Sequence, residues 1–305
     1  MSKKFIITID TEGDGQWNPE APCSTANAKY IPRFQELSEK YGFYPTWLTN
    51  YEMVNPFYVE YMQDCLKRNT CEVGMHLHAW NNPPEYELNK VNDQRDYLFE
   101  YPKNIMDEKI KVLTNKLEET FNIKMLSHRS GRWSTDETYF ELLHKYGYKV
   151  DCSVTPYMNW ERCVGATGKP GSDYRKSPTQ PYYIYKEILE VPVSIRQVRY
   201  FAPDAICSVK SFLHEIKWSG RLREAWIRPT KNPSFVALKK VLDIVNVDSD
   251  YAMFMLHSSE MMPGGSPSFP NEDSIERLYE CIERLFAYAK RCGYEGCKLS
   301  DFKLK

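Results

Sequence analysis

Short apolar runs alternate along the chain with amphipathic stretches of helical spacing. Residues 4–9, KFIITI, form a continuous apolar run, the pattern of a strand buried on both faces of a parallel sheet. Helical spacing follows over 31–41 and is closed by Gly42, with a short strand at 46–48 after it. The unit repeats as a helix over 57–68 and a strand at 72–76, then as a helix over 107–120 and strand-like residues at 125–128. A helix over 135–146, with Gly147 as its C-cap, leads to strands at 148–154 and 188–193. Tyr182, Tyr183 and Tyr185 straddle a further strand, and a helix at 234–245, a strand at 252–256 and a helix at 274–291 end the pattern.

About seven strand–helix units in one chain predict an α/β fold with parallel strands and helical crossovers. A closed or nearly closed barrel is more economical than an open sheet for that many units, although periodicity does not separate the two. The expectation is one domain over 1–305, a distorted (β/α)7-type barrel. Segments 155–187 and 200–232 are rich in Pro, Gly, Tyr and Trp without clean periodicity. They read as long loop insertions over the barrel mouth and as candidate substrate walls.

Composition narrows the partners. Hydrophobic residues make up 42% of the 305 positions and charged residues 27%, enough for a core and unlike a disordered chain. Forty Lys and Arg against 41 Asp and Glu leave a formal charge of -1 with no basic block, which argues against a nucleic-acid partner. No apolar stretch reaches the roughly 18 residues needed to span a bilayer, so no membrane insertion is expected. MSKKFIITID enters a strand directly, and the expected location is cytoplasmic. Nine scattered Cys without a CxxC pair fit reduced thiols. GATGKPG, 165–171, has Pro170 where a phosphate-binding loop needs Ser or Thr, so a nucleotide cradle is rejected.

Ionisable residues recur where the predicted strands end, the functional face of a parallel barrel. ITIDTEGD places Asp10, Glu12 and Asp14 at the first exit, and EVGMHLHAW places His76 and His78 at another. SHRSGRWS brings Arg129 and Trp133, KVDCSVTP brings Asp151, and MLHSSEMMPGG brings His257 and Glu260. A His-x-His pair on an extended strand points both rings to one side, and a carboxylate from the first strand completes the ligand type of catalytic zinc and non-haem iron sites. Plainer readings stand beside this one. HxH can be a hydrogen-bonded pair, residues 10–14 a capping and turn cluster, His257-Ser-Ser-Glu260 a helix-capping loop, and Arg129 with Asp151 a structural ion pair. Their joint recurrence at strand exits favours an active site. His128, His144 and His214 are read as structural.

In order, these motifs resemble those of the polysaccharide deacetylase family, the NodB homology domain of carbohydrate esterase family 4 in the broad sense. The chain looks closest to its divergent WalW-like branch. The resemblance runs from residue 8 to residue 257 and implies a distorted, often seven-stranded β/α barrel. It places Asp10 on the catalytic base, His76 on the first metal-binding His, Arg129 on the Arg that orients the base, Asp151 on the carboxylate that tunes the acid, and His257 on the general acid. Thr11 stands where the family usually has a second, metal-binding Asp, and Glu12 substitutes for it as in relatives with a DxE pattern. Trp80 stands where the family usually has its second His, and His78 takes that part.

What the resemblance implies is a hydrolase of carbon–nitrogen bonds in carbohydrate metabolism, a deacetylase acting on an amino-sugar or glycan-type substrate. Its expected cofactor is a divalent metal ion, zinc, held by Glu12, His76 and His78. Asp10 would activate water and His257, kept protonated by Asp151, would protonate the leaving amine. A backbone N–H near Gly131 or Arg132 would help stabilise the acyl oxygen. Trp133, Arg132 and Arg228 are the candidate substrate-binding residues; Arg228 would clamp an anionic group, with a surface role as the plainer reading. Two other functions remain open: a catalytically degenerate carbohydrate-binding or regulatory barrel, and a hydrolase of a small non-sugar amide.

Overall fold

The computed structural model describes residues 2–16, 24–199 and 222–304. Its chain order is β1 (Lys4–Thr11), α1 (Ile31–Lys40), β2 (Thr46–Thr49), α2 (Pro56–Lys67), β3 (Glu72–Leu77), α3 (Lys103–Phe121), β4 (Ser127–Ser130) and α4 (Glu137–Lys145). It continues with β5 (Val150–Asp151), β6 (Tyr182–Tyr185), β7 (Ile188–Glu190), β8 (Ile195–Arg199), β9 (Leu222–Trp226), α5 (Phe235–Asp248), β10 (Tyr251–His257), α6 (Glu272–Arg291) and β11 (Glu295–Gly296). Part of the expected 200–232 insertion, residues 200–221 with His214, lies outside the described residues.

Helix starts follow capping chemistry. Asn55 accepts from Tyr58 N at 3.0 Å, Asp136 from Tyr139 N at 2.8 Å, and Asn271 from Ser274 N at 3.0 Å, each relieving an unsatisfied first-turn donor. Gly147 takes the φ of +87° that ends the α4 turn, a conformation an L side chain resists.

Among the described residues, the main sheet runs β10-β1-β2-β3-β4-β5-β7-β6, with β11 added on β1. All pairings are parallel except β6 with β7. The sheet curls into a half-barrel of the expected α/β class. Its ladder does not run on from β10 to β7. That side is walled by the chain at 191–195 and 227, where Met253 N donates to Ser194 Oγ at 2.9 Å and Val193 N to Val154 O at 3.0 Å.

Three features depart from the expected pattern. β5 is two residues instead of a run through 148–154, because beyond Asp151 the chain bonds to side chains and to β4's flank. β6 and β7 form an antiparallel hairpin, and β8 pairs with β9 in a separate antiparallel ribbon. α3 begins at Lys103, directly after Pro102, earlier than the apolar spacing indicates; only its first two residues, Lys103 and Asn104, are polar and exposed, and Met106 is already buried.

Two apolar layers result. The outer one lies between sheet and helices, with Phe5, Phe34, Phe43, Phe254 and Phe286 in one aromatic group. The inner one fills the barrel with Ile6, Leu48, Val150, Cys152, Val191 and Met253. Among the described residues, no helix is long and apolar enough to cross a membrane. Phe286 packs its ring 5.3 Å from that of Phe43 and 5.6 Å from that of Phe254. Phe286→Ala should therefore lower unfolding free energy by about 3–5 kcal/mol in urea titrations, since the cavity lies between strands and helices that cannot collapse together.

Candidate active site

Strand parity decides which side chains face the barrel mouth. Asp10 is the register partner of His257 on β10, and His76 of Arg129 on β4. Alternation along parallel strands puts Asp10, His76 and Arg129 on the inner face. Gly131, just past β4, leaves room there: a Cβ would stand 2.6 Å from Leu77 O and 2.8 Å from His78 Cδ2. The next two residues, Arg132 and Trp133, have φ of 57° and 65°, a strained turn of the kind found at functional sites.

Glu12, His76 and His78 are buried and bring one ligand atom each within 4.8 Å of one another. His76 Nε2 and His78 Nε2 are 2.9 Å apart, His78 Nε2 is 3.2 Å from Glu12 Oε2, and His76 Nε2 is 3.7 Å from it. Metal–ligand bonds of about 2.0–2.1 Å at angles between octahedral and tetrahedral require ligand atoms about 2.9–3.4 Å apart, so two of the three separations already suit a divalent ion. His76 Nδ1 donates to Arg129 O at 2.9 Å, which leaves the Nε2 lone pair of the neutral ring facing the cluster. Two imidazole nitrogens at 2.9 Å need a proton or a cation between them. Burial alone would raise the Glu12 carboxyl, yet His257 and the adjacent imidazoles of His76 and His78 hold it well below the ordinary value, so it is anionic. The residues fit a divalent metal.

Asp10 sits beside this cluster. Its Oδ1 accepts from Arg129 Nη1 at 2.6 Å, and its Oδ2 is 4.0 Å from His76 Nε2 and 3.7 Å from His257 Nε2. Burial pushes the Asp10 carboxyl up, but Arg129, His76 and His257 together hold it below its usual range. Arg129 is fully buried, bonded also to Thr8 Oγ1 at 2.7 Å and Cys152 O at 3.1 Å, with Trp133 4.9 Å from its guanidinium carbon. His257 Nδ1 is 3.0 Å from Glu260 Oε2 and 3.0 Å from Arg228 Nη2. Ser258 ties this turn to the ligand strand, accepting from Glu12 N at 3.1 Å and donating to Glu12 O at 3.2 Å.

Asp151 departs from the expected geometry. It pairs in register with His128, and parity turns both away from the barrel interior, where Cys152 points instead. Asp151 Oδ1 bonds His128 Nδ1 at 2.5 Å, and His128 Nε2 reaches Tyr139 OH at 2.8 Å among the helices. The carboxylate that meets His257 is Glu260. Asp14 caps the turn over 26–30, accepting from Ala26 N at 2.7 Å, so the capping reading holds for it and not for Asp10 or Glu12. Arg132 points away from the cluster, bonding Arg95 O and Val164 O, with Tyr97 4.2 Å from its guanidinium carbon. Trp133 lines the mouth against Trp226, ring centroids 5.5 Å apart. Arg228 bonds Glu260 Oε1 at 3.0 Å rather than standing at the surface.

Four residues gain a place that the strand-exit pattern alone did not give them. Trp80 stacks on His78 at 4.2 Å between ring centroids. Asn50 lies 3.4 Å from His78 Nδ1 and donates to Glu52 Oε1 at 2.7 Å, which also accepts from Asn81 Nδ2 at 2.8 Å. Glu260, by contrast, was already legible beside His257 at the end of the last strand.

No family model matches the sequence, and no curated protein matches it. Solved structures do. A protein assigned as a polysaccharide deacetylase from Mycobacterium smegmatis shares 13% identity, covering 100% of this chain and 96% of that one with a TM-score of 0.50. The chain has the polysaccharide deacetylase fold. A 4-alpha-glucanotransferase from Thermococcus litoralis is similar at 13% identity and a TM-score of 0.55, and the chain spans 41% of its length.

Two predictions follow from this geometry. His76→Ala and His78→Ala should each abolish stoichiometric zinc uptake measured by elemental analysis of dialysed protein; full retention in both would dissolve the proposed cluster. The second concerns Glu190, whose fully buried carboxyl is pushed well above its ordinary 4.5 by desolvation and by the Asp151 charge. A raised folded value means its contribution to stability is complete below about pH 4.5 and is lost progressively as pH rises above that, through the raised folded value. Glu190→Gln keeps a donor toward Asp151 with no proton to lose. Urea unfolding at about pH 5 and about pH 8 should show the variant gaining on the wild type at the higher pH.

Proposed function

We propose that this chain is a divalent-metal-dependent amide hydrolase, removing the N-acyl group of an amino sugar in a polysaccharide or cell-envelope precursor. The observation that carries it is the placement of Asp10 Oδ2 3.7 Å from His257 Nε2 and 4.0 Å from His76 Nε2, a carboxylate and an imidazole flanking one donor cluster. The fold shared with the mycobacterial deacetylase supports the carbohydrate amide as substrate.

A divalent ion, zinc by its donor set, held by Glu12, His76 and His78 would supply Lewis acidity toward the acyl oxygen and toward water. Asp10 takes the proton of the attacking water. Arg129 keeps Asp10 ionised and aims its free oxygen into the mouth. His257 delivers a proton from Nε2 to the leaving amine. The N–H groups of the turn at Gly131 and Arg132 are assigned to the acyl oxygen as charge builds on it. Trp133 and Trp226 form an apolar wall for the sugar ring.

Zinc-loaded protein should release acetate from an N-acetylated chitooligosaccharide. Asp10→Asn should retain zinc and lose on the order of 10²-fold or more in kcat. Unchanged turnover in that variant would take the base role from Asp10.

A further inference from the structure

We propose that Glu260, braced by Arg228, is the positioning residue of His257, an inference that rests on the hydrolysis proposed above. His257 closes β10, and its ring is held from the rear. Nδ1 lies 3.0 Å from Glu260 Oε2, and the same oxygen accepts the His257 backbone N–H at 3.0 Å. The other oxygen, Glu260 Oε1, is 3.0 Å from Arg228 Nη2. Glu260 is 1% exposed, so the carboxylate has little freedom to turn away.

Arg228 Nη2 also lies 3.0 Å from His257 Nδ1, and this contact sets two arrangements against each other. A guanidinium has donors only. Either Nδ1 carries its proton and donates to Glu260, or Nδ1 is bare and accepts from Arg228. A ring that is to give up a proton from Nε2 and be left neutral must keep the one on Nδ1. Glu260 favours that arrangement, and Arg228 satisfies the carboxylate's other oxygen so that Glu260 holds the ring without removing its proton. Asp151, bonded to His128 behind β4, takes no part.

In the step itself, water's oxygen bonds to the acyl carbon as Asp10 takes one of its protons. The C–N bond then breaks with its electron pair on nitrogen, and the Nε2 proton of His257 forms the new N–H bond. Nδ1–H stays on Glu260 throughout, and the products are the carboxylic acid and the amine.

The test compares an amine leaving group with one that needs no proton. Zinc-loaded wild type, Glu260→Gln, Glu260→Ala, Arg228→Lys and His257→Ala are assayed on triacetylchitotriose and on 4-nitrophenyl acetate. The expected result is a loss on the order of 10²-fold in kcat on the amide for both Glu260 variants, with KM changed by less than about threefold and ester hydrolysis kept within about threefold. Arg228→Lys should fall between these and wild type. Glu260→Gln, nearly isosteric, covers the case in which Glu260→Ala does not fold. Equal losses on amide and ester would reduce Glu260 to a structural cap and overturn the inference. Full amide turnover in Glu260→Gln beside an inactive His257→Ala would overturn it while leaving the proposed function intact. Nitrogen-15 NMR of metal-free protein gives a readout independent of turnover. A His257 Nδ1–H signal that is present in wild type and shifted in Glu260→Gln supports the positioning even if no amide is hydrolysed, the result that would sink the functional reading alone. A ring protonated only on Nε2 overturns the inference.

Discussion

The site depends on one buried cation. Arg129 has no contact with solvent, and a guanidinium in that position is tolerable only with a full set of partners. Asp10 supplies the countercharge at 2.6 Å, while Thr8 and the carbonyl of Cys152 take further donors. The same residue's carbonyl accepts from His76 Nδ1 and so fixes which nitrogen faces the donor cluster. One residue thereby sets the ionisation of Asp10 through its side chain and the tautomer of His76 through its backbone. Stability and chemistry are coupled here, because removing Asp10 would leave an uncompensated charge in the barrel interior.

The period of two along each strand explains both what could be read from the sequence and what could not. KFIITI, EVGMHL and YAMFMLH announce buried parallel strands, and the ionisable residues at their ends fall where a parallel barrel gathers its chemistry. Which face a given residue takes is a matter of register, and register is set by the neighbour. Asp151 shows this: the motif VDCSV contains both an outward and an inward position, and pairing with His128 sends the carboxylate outward and Cys152 inward. The antiparallel pieces were hidden for a related reason. Ile188–Glu190 looks like any other buried run, and its partner Tyr182–Tyr185, half exposed and aromatic, signals a strand without signalling its direction.

A capping contact and a side-chain contact can fall on one residue. Glu260 is a helix-start residue by its bond to the His257 backbone N–H, and the same oxygen meets the imidazole of that residue. A local capping requirement places a carboxylate where long-range convergence has use for it. Asp14 is the contrasting case, since Ala26 and Asn27 occupy its oxygens and leave nothing for the mouth.

The ladder between β1 and β10 joins the first described strand to one of the last, and Asp10 meets His257 only through that pairing. Glu12, His76 and His78 are all translated well before β10 leaves the ribosome. A growing chain can therefore bring Glu12, His76 and His78 together early and still lack His257. Such non-local closure is slow compared with the helical crossovers that precede it. The order of synthesis thus keeps Asp10 and His257 apart until the barrel is nearly finished.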